Sequence, residues 1–581
     1  MKISYFFLSF FLFNSGLFAQ TNEYFTHAGT ADFMLGNFSP EDYLPNEIID
    51  NPYEIGERLL SDTSSDSLKQ FLVEMSTFDN RNTASDTISE IFGMGAARRW
   101  AFNRMAGFSE RLKMSYLEFE QPVCGIMNTH RNVVAILPGT GNQHDELILI
   151  EAHFDSRCED ACDVECLAHG MEDNGSGSAL VMELARVMSQ FTFSRTIVFI
   201  LTTGEEQGLY GGNAMAKWCK DNEVKLNAVY NNDIIGGVIC GETASPPGCP
   251  GLNAVDSINV RVYSAGGVGS KSRMLARYAK LEYDENIKEQ MPVQTEVNLL
   301  SIEDRQGRGG DHIPFRQKSF AAIRFTSANE HGDGNPSQDD YHDRQHSNDD
   351  FLGEDTDGDG EFDNYFVDFN YLRRNAIING NAIATAAAAP IPPINLELEP
   401  TINGLRVTFE DENNYGLYRI GVRSFSGVYF DSLYTTSSTD KVLTGLDINT
   451  LYVISVCTVD DIGIESLFLG EKFNSFSETS SINGIVQESK PFELLQNKPN
   501  PFDEATMIGV LVNETFKYKN AFISVRDMEG KELVQLPIDL NLGLNELVYG
   551  FEHHRYIPGT YAYSLIVDGK ILATKRMIYA Y

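Results

Sequence analysis

Apolar and polar positions follow two rhythms along the first two thirds of this chain. Short runs rich in valine, isoleucine and leucine are separated by longer amphipathic stretches, which predicts strands and helices in alternation. Strands are predicted at residues 116–119, 132–136, 147–151, 196–201, 228–231, 258–263 and 321–325. Helices are predicted at residues 68–75, 96–108, 176–189, 272–281 and 369–385. This order indicates an α/β fold, a mixed sheet flanked by helices, with its site at the carboxyl ends of the strands.

The pattern of apolar and polar residues changes near residue 390. An Ala/Pro-rich stretch at residues 386–393 ends the last predicted helix and opens a linker. Short strands separated by turn residues follow, at residues 396–398, 405–409, 417–422, 429–433 and 451–459. They predict a β-sandwich over residues 390–475, and the run at 441–446 before 452–454 resembles that of a fibronectin type III domain.

The last part of the chain, residues 490–581, is predicted to be a second β-sandwich. It begins Leu495-Gln496-Asn497-Lys498-Pro499-Asn500-Pro501-Phe502 and ends with Gly559-Thr560-Tyr561-Ala562-Tyr563 and residues 573–577. These motifs resemble the C-terminal type A sorting domain of the bacterial type IX secretion system. The resemblance implies a partner, the secretion machinery, which carries the protein across the outer membrane. The alternative is a further sandwich with no address function.

The beginning of the chain has the pattern of a signal peptide over residues 1–20. Lys2 precedes an apolar run at residues 5–13, and small residues lead to a cleavage point near Ala19. No later run approaches the roughly 20 apolar residues that a membrane span requires. We therefore expect a secreted or cell-surface protein, exported through the periplasm and outer membrane. Residues 21–57 form an N-terminal segment or a possible propeptide.

Length and charge limit the domain number and the partners. The chain has 581 residues, too many for one ordinary core, so three or four structural units are expected. Its 45 basic and 82 acidic residues give a net charge of −37. This charge repels nucleic acid and anionic membranes, so neither is expected as a partner.

The eight cysteines are expected to form disulfides, because the chain is predicted to be exported. Cys240 and Cys249 bracket a Gly/Pro-rich loop and are the best candidates for a pair. Cys158, Cys162 and Cys166 offer the alternative of a zinc–thiolate cluster. Their spacing provides no fourth local ligand, so the alternative is weak.

Four motifs with acidic or histidine side chains fall at predicted strand ends or helix starts. They are His153-Phe154-Asp155, Glu172-Asp173-Asn174-Gly175-Ser176-Gly177, Gly204-Glu205-Glu206-Gln207-Gly208 and Asn232-Asp233-Ile234-Ile235-Gly236. A dinuclear zinc site needs a bridging carboxylate, further ligands on each ion and a shared water. Taken singly, such acids are usually helix caps or solvated loop residues. Four motifs in order favour a two-zinc site.

Each motif is assigned a role in that site. Asp173 is the natural bridge, since the Asn-Gly-Ser-Gly turn leaves its carboxylate at the start of a helix. His153 and Asp233 share one ion, and Glu206 with a downstream histidine holds the other. Glu205 is assigned as the general base. Asp155 is suited to accept a hydrogen bond from the imidazole two residues before it.

These motifs resemble those of the secreted co-catalytic zinc aminopeptidases of peptidase clan MH, over roughly residues 64–389. The resemblance implies that His153, Asp173, Glu206 and Asp233 are zinc ligands and that Glu205 is the catalytic base. It also implies a last histidine ligand followed by a polar loop and an acid. His346 fits better than His342, and His312 lies in a segment where the family's histidine is not usually a ligand. The catalytic domain is assigned to residues 58–389.

A calcium loop is predicted after the last histidine ligand. Oxygen-bearing residues alternate there with glycines, and the candidate ligands are Asp355, Asp357, Asp359 and Asp363. The complete EF-hand pattern is absent from the sequence. A solvated acidic loop is therefore the alternative.

The function expected from these features is an exported aminopeptidase with two zinc ions, acting on peptide or protein substrates. One alternative is a glutaminyl cyclase-like enzyme with a single zinc. Another is a catalytically silent surface-binding protein, which predicts loss of a ligand or of Glu205, and neither is lost. Side-chain preference, exopeptidase detail, oligomeric state and surface anchoring stay open.

Overall fold

A computed structural model describes most of the chain. It covers residues 23–241, 247–305, 308–328, 344–359, 362–425, 427–447, 450–475, 491–502, 505–513, 517–528, 530–550 and 557–580. The predicted signal peptide and His342 lie outside these residues. No helix in the described ranges is long and apolar enough to span a membrane.

The first domain consists of alternating helices and strands. Its helices are α1 (Thr30–Met34), α2 (Pro52–Asp62), α3 (Ser65–Ser76), α4 (Gly93–Ala106), α5 (Gly177–Met188), α6 (Tyr210–Asp221), α7 (Lys271–Asn286), α8 (His312–Gln317) and α9 (Phe369–Ala388). Its strands are β1 (Tyr24–Phe25), β2 (Lys113–Val123), β3 (Ile126–Leu137), β4 (Glu146–His153), β5 (Thr196–Thr202), β6 (Lys225–Asn232), β7 (Asn259–Tyr263), β8 (Glu296–Leu300), β9 (Ala322–Ser327), β10 (Gly353–Glu354) and β11 (Asn364–Tyr365).

Nine of these strands form one mixed sheet in the order β1-β2-β3-β5-β4-β6-β9-β7-β8. Its centre, β5-β4-β6-β9, is parallel, and antiparallel pairs join it to the strands on either side. The predicted α/β fold with a mixed sheet flanked by helices is therefore confirmed. The parallel centre brings the carboxyl ends of four strands to one edge of the sheet.

Both faces of the sheet are covered, which explains the continuous apolar runs. In β4, Ile148 and Ile150 enter a core with α5 and α9, whereas Leu147 and Leu149 enter a second core on the opposite face with α6. Successive side chains of a strand point to opposite faces. The central strands, buried on both faces, are therefore apolar at most positions, and Glu151 of β4 is a buried exception.

The N-terminal segment is built into this domain. β1 pairs with β2, and α2 packs against α9 with Ile55 and Leu59 fully buried. The structured domain therefore begins well before the predicted boundary at residue 58. The described part of the 21–57 segment is a structural component of the domain.

Eight helices and strands of the domain were not predicted, namely α1, α2, α6, α8, β1, β8, β10 and β11. The first turn of α6 contains Gly211 and Gly212, which are poor helix formers, so its start has the pattern of a loop. A Cβ at Gly211 would lie 2.5 Å from Asn132 Oδ1, so close packing against β3 requires glycine. β8 lies at the edge of the sheet and is only partly buried, which weakens its apolar signal.

Two β-sandwiches follow, as predicted. The first has β12 (Ile394–Thr401), β13 (Gly404–Glu410), β14 (Tyr418–Ser424), β15 (Ser432–Thr436), β16 (Asp440–Thr444), β17 (Tyr452–Thr458) and β18 (Lys472–Asn474). Its sheets have the orders β12-β13-β16 and β15-β14-β17-β18. The strand expected at residues 429–433 begins later, because Tyr429 and Phe430 pack against the core of the first domain.

The second sandwich repeats this division into three and four strands. Its strands are β19 (Phe492–Leu494), β20 (Ala505–Val512), β21 (Ala521–Arg526), β22 (Glu532–Pro537), β23 (Gly543–Gly550), β24 (Gly559–Val567) and β25 (Lys570–Tyr579). The sheet orders are β19-β20-β23 and β22-β21-β24-β25. Tyr563 donates a hydrogen bond to the carbonyl of Leu495, which joins the two motifs that bracket the segment.

The first sandwich is docked on α7 through a buried ionic contact. Glu471 lies 2.8 Å from Arg277 of α7 and 2.7 Å from Arg423 of β14. All three side chains are almost completely buried. Because an unpaired buried charge is strongly destabilising, this contact fixes the sandwich against the first domain.

Three disulfides join the described cysteines. Cys240 pairs with Cys249, the pair singled out from the sequence. The other two are Cys124–Cys162 and Cys158–Cys166. They include all three cysteines considered for a zinc–thiolate cluster. Cys219 and Cys457 are free and buried.

Candidate metal centre

Three of the predicted motifs meet at the carboxyl edge of the parallel strands. His153 is the last residue of β4, and Asp233 directly follows β6. Glu205 and Glu206 lie just beyond the end of β5. Because β4 is hydrogen-bonded to both neighbours in parallel, these side chains converge above one edge of the sheet.

Asp173 lies between His153 and His346, with one carboxylate oxygen facing each histidine. Its Oδ1 is 3.0 Å from His153 Nε2, and its Oδ2 is 3.1 Å from His346 Nε2. The segment before α5 has non-helical backbone angles at Asp173 and Asn174, which turns the carboxylate out of the helical path. Asn174 holds this turn by accepting hydrogen bonds from Gly177 and Ile234.

The result is two groups of ligands that share Asp173. One group is His153, Asp173 and Asp233, and the other is Asp173, Glu206 and His346, with the ligand atoms of each within 4.8 Å of one another. His153 Nε2 is 3.3 Å from Asp233 Oδ1, and His346 Nε2 is 3.2 Å from Glu206 Oε2. Nitrogen and oxygen donors in this arrangement suit two zinc ions that share one carboxylate.

Buried carboxylate oxygens give an independent test of this fit. Glu206 Oε1 is buried and has no hydrogen-bond partner among the described residues, and buried Asp173 Oδ1 has an ionic contact with His153 Nε2 that lacks hydrogen-bond geometry. An ionised carboxylate left in this state is costly unless a cation neutralises it. The residues present therefore fit a pair of cations.

The pKa values of the two histidines are also shifted by the carboxylates around them. Burial lowers the pKa of His346, but Glu206 and Asp173 outweigh it and raise this pKa to about 9. His153 behaves in the same way, since Glu205 and Asp233 raise its pKa well above the usual value against the effect of burial. The pocket therefore favours positive charge at the positions between its carboxylates.

Glu205 lines the same cavity as the ligands without belonging to either group. Burial raises its pKa well above the usual value, His153 opposes this shift, and Asp233 and Glu206 add to it. A carboxylate with a raised pKa beside a cation site suits proton transfer near neutral pH.

Asp155 has a different contact from the one predicted. His153 Nδ1 lies 3.1 Å from the main-chain oxygen of Asp155, whereas the Asp155 carboxylate is 3.8 Å away. That carboxylate instead accepts hydrogen bonds from the main-chain N–H groups of Gly204, Glu205 and Glu206, at 2.9, 3.2 and 3.1 Å. Asp155 therefore positions the loop that carries Glu205 and Glu206.

Asp350, Arg324 and Arg81 support the centre and were given no role from the sequence. Asp350 accepts hydrogen bonds from the N–H groups of Glu172 and Asp173, at 2.8 and 2.9 Å. Arg324, on β9, lies 3.1 Å from Asp233 Oδ2. Buried Arg81 donates to the carbonyls of Phe154 and Gly170. The signal for Arg324 was a charged residue inside an apolar strand; Asp350 and Arg81 had no comparable signal.

The histidines and acids considered further along the chain lie in different environments. His346 joins the centre, whereas His312 is buried with Nε2 3.0 Å from the carbonyl oxygen of Glu303. The acidic loop is exposed, and ligand atoms of Asp355, Asp357 and Asp359 lie within 4.8 Å of one another. Asp363 instead accepts hydrogen bonds from the main chain and hydroxyl of Thr356.

Residues 132–359 match the family model described as Peptidase family M28. The matched residues, which include every candidate zinc ligand, form a peptidase family M28 domain. The M28 domain is thus that of a hydrolase acting on peptide bonds. A probable zinc metalloprotease of Leptosphaeria maculans is 29% identical over 368 residues, 60% of this chain and 80% of that protein. A probable zinc metalloprotease of Pyricularia oryzae is 32% identical over 330 residues, 54% of this chain and 62% of that protein.

Solved structures also resemble the M28 domain. The LapA aminopeptidase of Legionella pneumophila has 18% identity and a TM-score of 0.41, covering 60% of this chain and 76% of that one. A glutaminyl cyclase of Macrostomum lignano has 13% identity and a TM-score of 0.40, covering 60% of this chain and 97% of that one. These values do not separate the two activities for the M28 domain.

Proposed function

We propose that the protein is an exported aminopeptidase that uses two zinc ions to remove residues from the amino ends of peptides. The observation that carries this proposal is the placement of Asp173, whose two oxygens face separate groups of ligands. A single-zinc cyclase has no need for the second group, formed with Glu206 and His346. The aminopeptidase specificity comes from the resemblance of the motifs.

The residues divide the chemical work. Two zinc ions held by His153, Asp173, Glu206, Asp233 and His346 would polarise the scissile carbonyl and lower the pKa of the attacking water. Glu205 accepts a proton from that water and delivers it to the leaving amine. Asp155 holds the Glu205 main chain, and Arg324 holds the Asp233 carboxylate.

The test combines metal analysis with mass spectrometry of peptide ladders. The unaltered protein is expected to bind two zinc ions and to shorten a peptide one residue at a time from its amino end. Glu205→Gln should keep both ions and lose turnover. Glu159→Gln is the control, because Glu159 is an exposed acid near the same cavity.

Three outcomes contradict the proposal. Equal rates for Glu205→Gln and the unaltered protein remove Glu205 from the mechanism. A stoichiometry of one zinc, with loss of ammonia from peptides that begin with glutamine, favours the cyclase alternative. No turnover of any peptide by zinc-loaded protein favours the surface-binding alternative.

Export and sorting form a separate part of the proposal. We propose that residues 1–20 direct export, that residues 390–475 form a fibronectin type III-like domain, and that residues 490–581 address the protein to type IX secretion. The division of strands into sheets of three and four supports the second assignment. In a host with type IX secretion, deletion of residues 490–581 should leave the protein in the periplasm. Unchanged release contradicts the sorting role.

A further inference from the structure

The cavity at the metal centre has a basic wall in addition to its acidic ligands. Its volume is about 320 Å³, and Arg157, Arg305 and Arg308 line it beside Arg324. This is a concentration of positive charge in a protein whose net charge is −37. None of these arginines belongs to the two groups of metal ligands.

Arg305 and Arg308 lie on the segment that leads from β8 to α8. Arg308 Nη1 is 3.5 Å from His346 Nδ1, on the side of the imidazole opposite Asp173 and Glu206. The side chain of Arg305 is only 13% exposed. Burial lowers the pKa of Arg305 to about 10, which still leaves its guanidinium charged at neutral pH.

The other two arginines of the wall also contact neighbouring residues. Arg324 is ion-paired with Asp233 and with Asp304. Arg157 donates to the carbonyls of Cys158 and Glu159, which fixes the side chain and keeps its positive charge in the wall. Asp304 lies 3.9 Å from Arg305 Nε, so this one carboxylate faces both Arg305 and Arg324.

The sign of the cavity follows from the charges around it. The carboxylates of Asp173, Glu205, Glu206 and Asp233 are balanced by two divalent ions. With the ligands neutralised in this way, the arginine charges set the sign of the remaining wall. An apolar substrate side chain placed there would desolvate charged guanidiniums and return no ionic contact.

We propose that Arg305 and Arg308 bind a carboxylate of the substrate next to the scissile bond, so that the enzyme prefers acidic substrates. The inference rests on the proposed peptidase function and names its substrate class. The carboxylate belongs either to an amino-terminal glutamate or aspartate or to the free carboxyl end of a dipeptide. A bidentate guanidinium–carboxylate contact suits both.

Two pairs of substrates distinguish a side-chain carboxylate from the free carboxyl end of a dipeptide. Glutamyl- and methionyl-aminomethylcoumarin differ in side-chain charge at similar length, and the dipeptide Leu-Ala differs from Leu-Ala-amide in its carboxyl end. A charged hydrogen bond contributes roughly 1.5–3 kcal/mol, so we expect a preference of about tenfold or more in kcat/KM for one acidic member. Equal or faster cleavage of both neutral members overturns the proposal.

Variants connect the preference to the arginines. Arg308→Met and Arg305→Met should each lower the acidic-to-neutral ratio of kcat/KM about tenfold, and Arg308→Lys, which keeps the charge but cannot make a bidentate contact, should retain only part of it. Arg316→Met is the control, because Arg316 is paired with Glu303 and does not line the cavity. Rates are expressed per bound zinc, since Arg308 lies beside His346. An unchanged ratio in both methionine variants overturns the assignment.

A binding measurement keeps the inference separate from the proposed activity. Zinc-loaded Glu205→Gln protein is titrated calorimetrically with Glu-Ala-amide, Met-Ala-amide and Leu-Ala at low and high salt. Tighter binding of an acidic ligand that weakens with salt and disappears in Arg308→Met supports the arginine site even when no substrate is turned over. Equal affinities for all three ligands overturn it, whatever the result for catalysis.

Discussion

Replacing Asp155 by asparagine tests whether this residue positions the catalytic loop. The Asp155 carboxylate is completely buried and accepts three main-chain hydrogen bonds from residues 204–206. Asparagine has nearly the same shape, but one of its two terminal groups is a donor. That NH2 group would face an N–H group, so at least one contact is lost and a buried donor is left unsatisfied.

The size of the effect follows from these contacts. A hydrogen bond to a charged acceptor contributes about 1.5–3 kcal/mol, and 1.4 kcal/mol corresponds to a tenfold change in rate. If the whole loss falls on the placement of Glu205, kcat decreases by roughly 10- to 100-fold. Because Glu206 moves with the same loop, zinc should also be released more readily to a chelator.

The assay measures kcat and the rate of zinc release for Asp155→Asn. Asp163→Asn is the matched control, because Asp163 accepts hydrogen bonds from two successive N–H groups, those of Glu165 and Cys166, in an exposed loop. The control should retain the kcat and zinc retention of the unaltered protein.

A near-normal kcat for Asp155→Asn would refute this reasoning. Normal zinc retention with a reduced kcat would also contradict it, because the same carboxylate accepts a hydrogen bond from the main chain of Glu206. The positioning role therefore requires both kcat and zinc retention to fall.

Further predictions concern stability. Glu471→Gln leaves Arg277 and Arg423 without their buried anion and should lower the free energy of unfolding by about 3 kcal/mol in denaturant titrations, whereas exposed Asp440→Asn should have no measurable effect. Burial and neighbouring carboxylates raise the pKa of Glu282, so its contribution to stability is present at acid pH and lost as the pH rises from about 4.5 through the raised pKa. Glu282→Gln should therefore raise the thermal midpoint at pH 8 and not at pH 4; the opposite order contradicts a buried, protonated Glu282. Zinc at a hundred times its dissociation constant should stabilise the chelated protein by about 2.7 kcal/mol or more, and an unchanged midpoint contradicts a centre formed only in the folded state.

Much of the catalytic domain could be predicted from the sequence. Strands buried on both faces are apolar at most positions, so β4 and β5 could be recognised, and polar residues at their ends marked the edge of the sheet where the site lies. Asp173 was predicted to belong to both groups of ligands, because the turn that follows it leaves its carboxylate at the start of a helix. His346 was preferred from the polar loop that follows it.

The parts that could not be predicted depend on distant contacts. Ile234 and His346 have positive φ angles of 57° and 56°, which non-glycine residues rarely adopt and which no local pattern indicates. The carboxylate of Asp155 contacts main-chain groups that lie about 50 residues further along the chain. The depth of the N-terminal segment in the core was also hidden, because the Asn51 cap and Pro52 of α2 indicate a helix but not its packing against α9.

The docking of the first sandwich also decides where the chain can be shortened for laboratory work. A fragment ending at residue 389 follows the boundary suggested by composition, yet it removes Phe468 from the catalytic core and takes Glu471 away from Arg277. Such a fragment would expose a surface that evolved to be covered and would tend to aggregate. A cut after Ser475 keeps the whole interface, so crystallisation or enzyme production should begin from that longer piece.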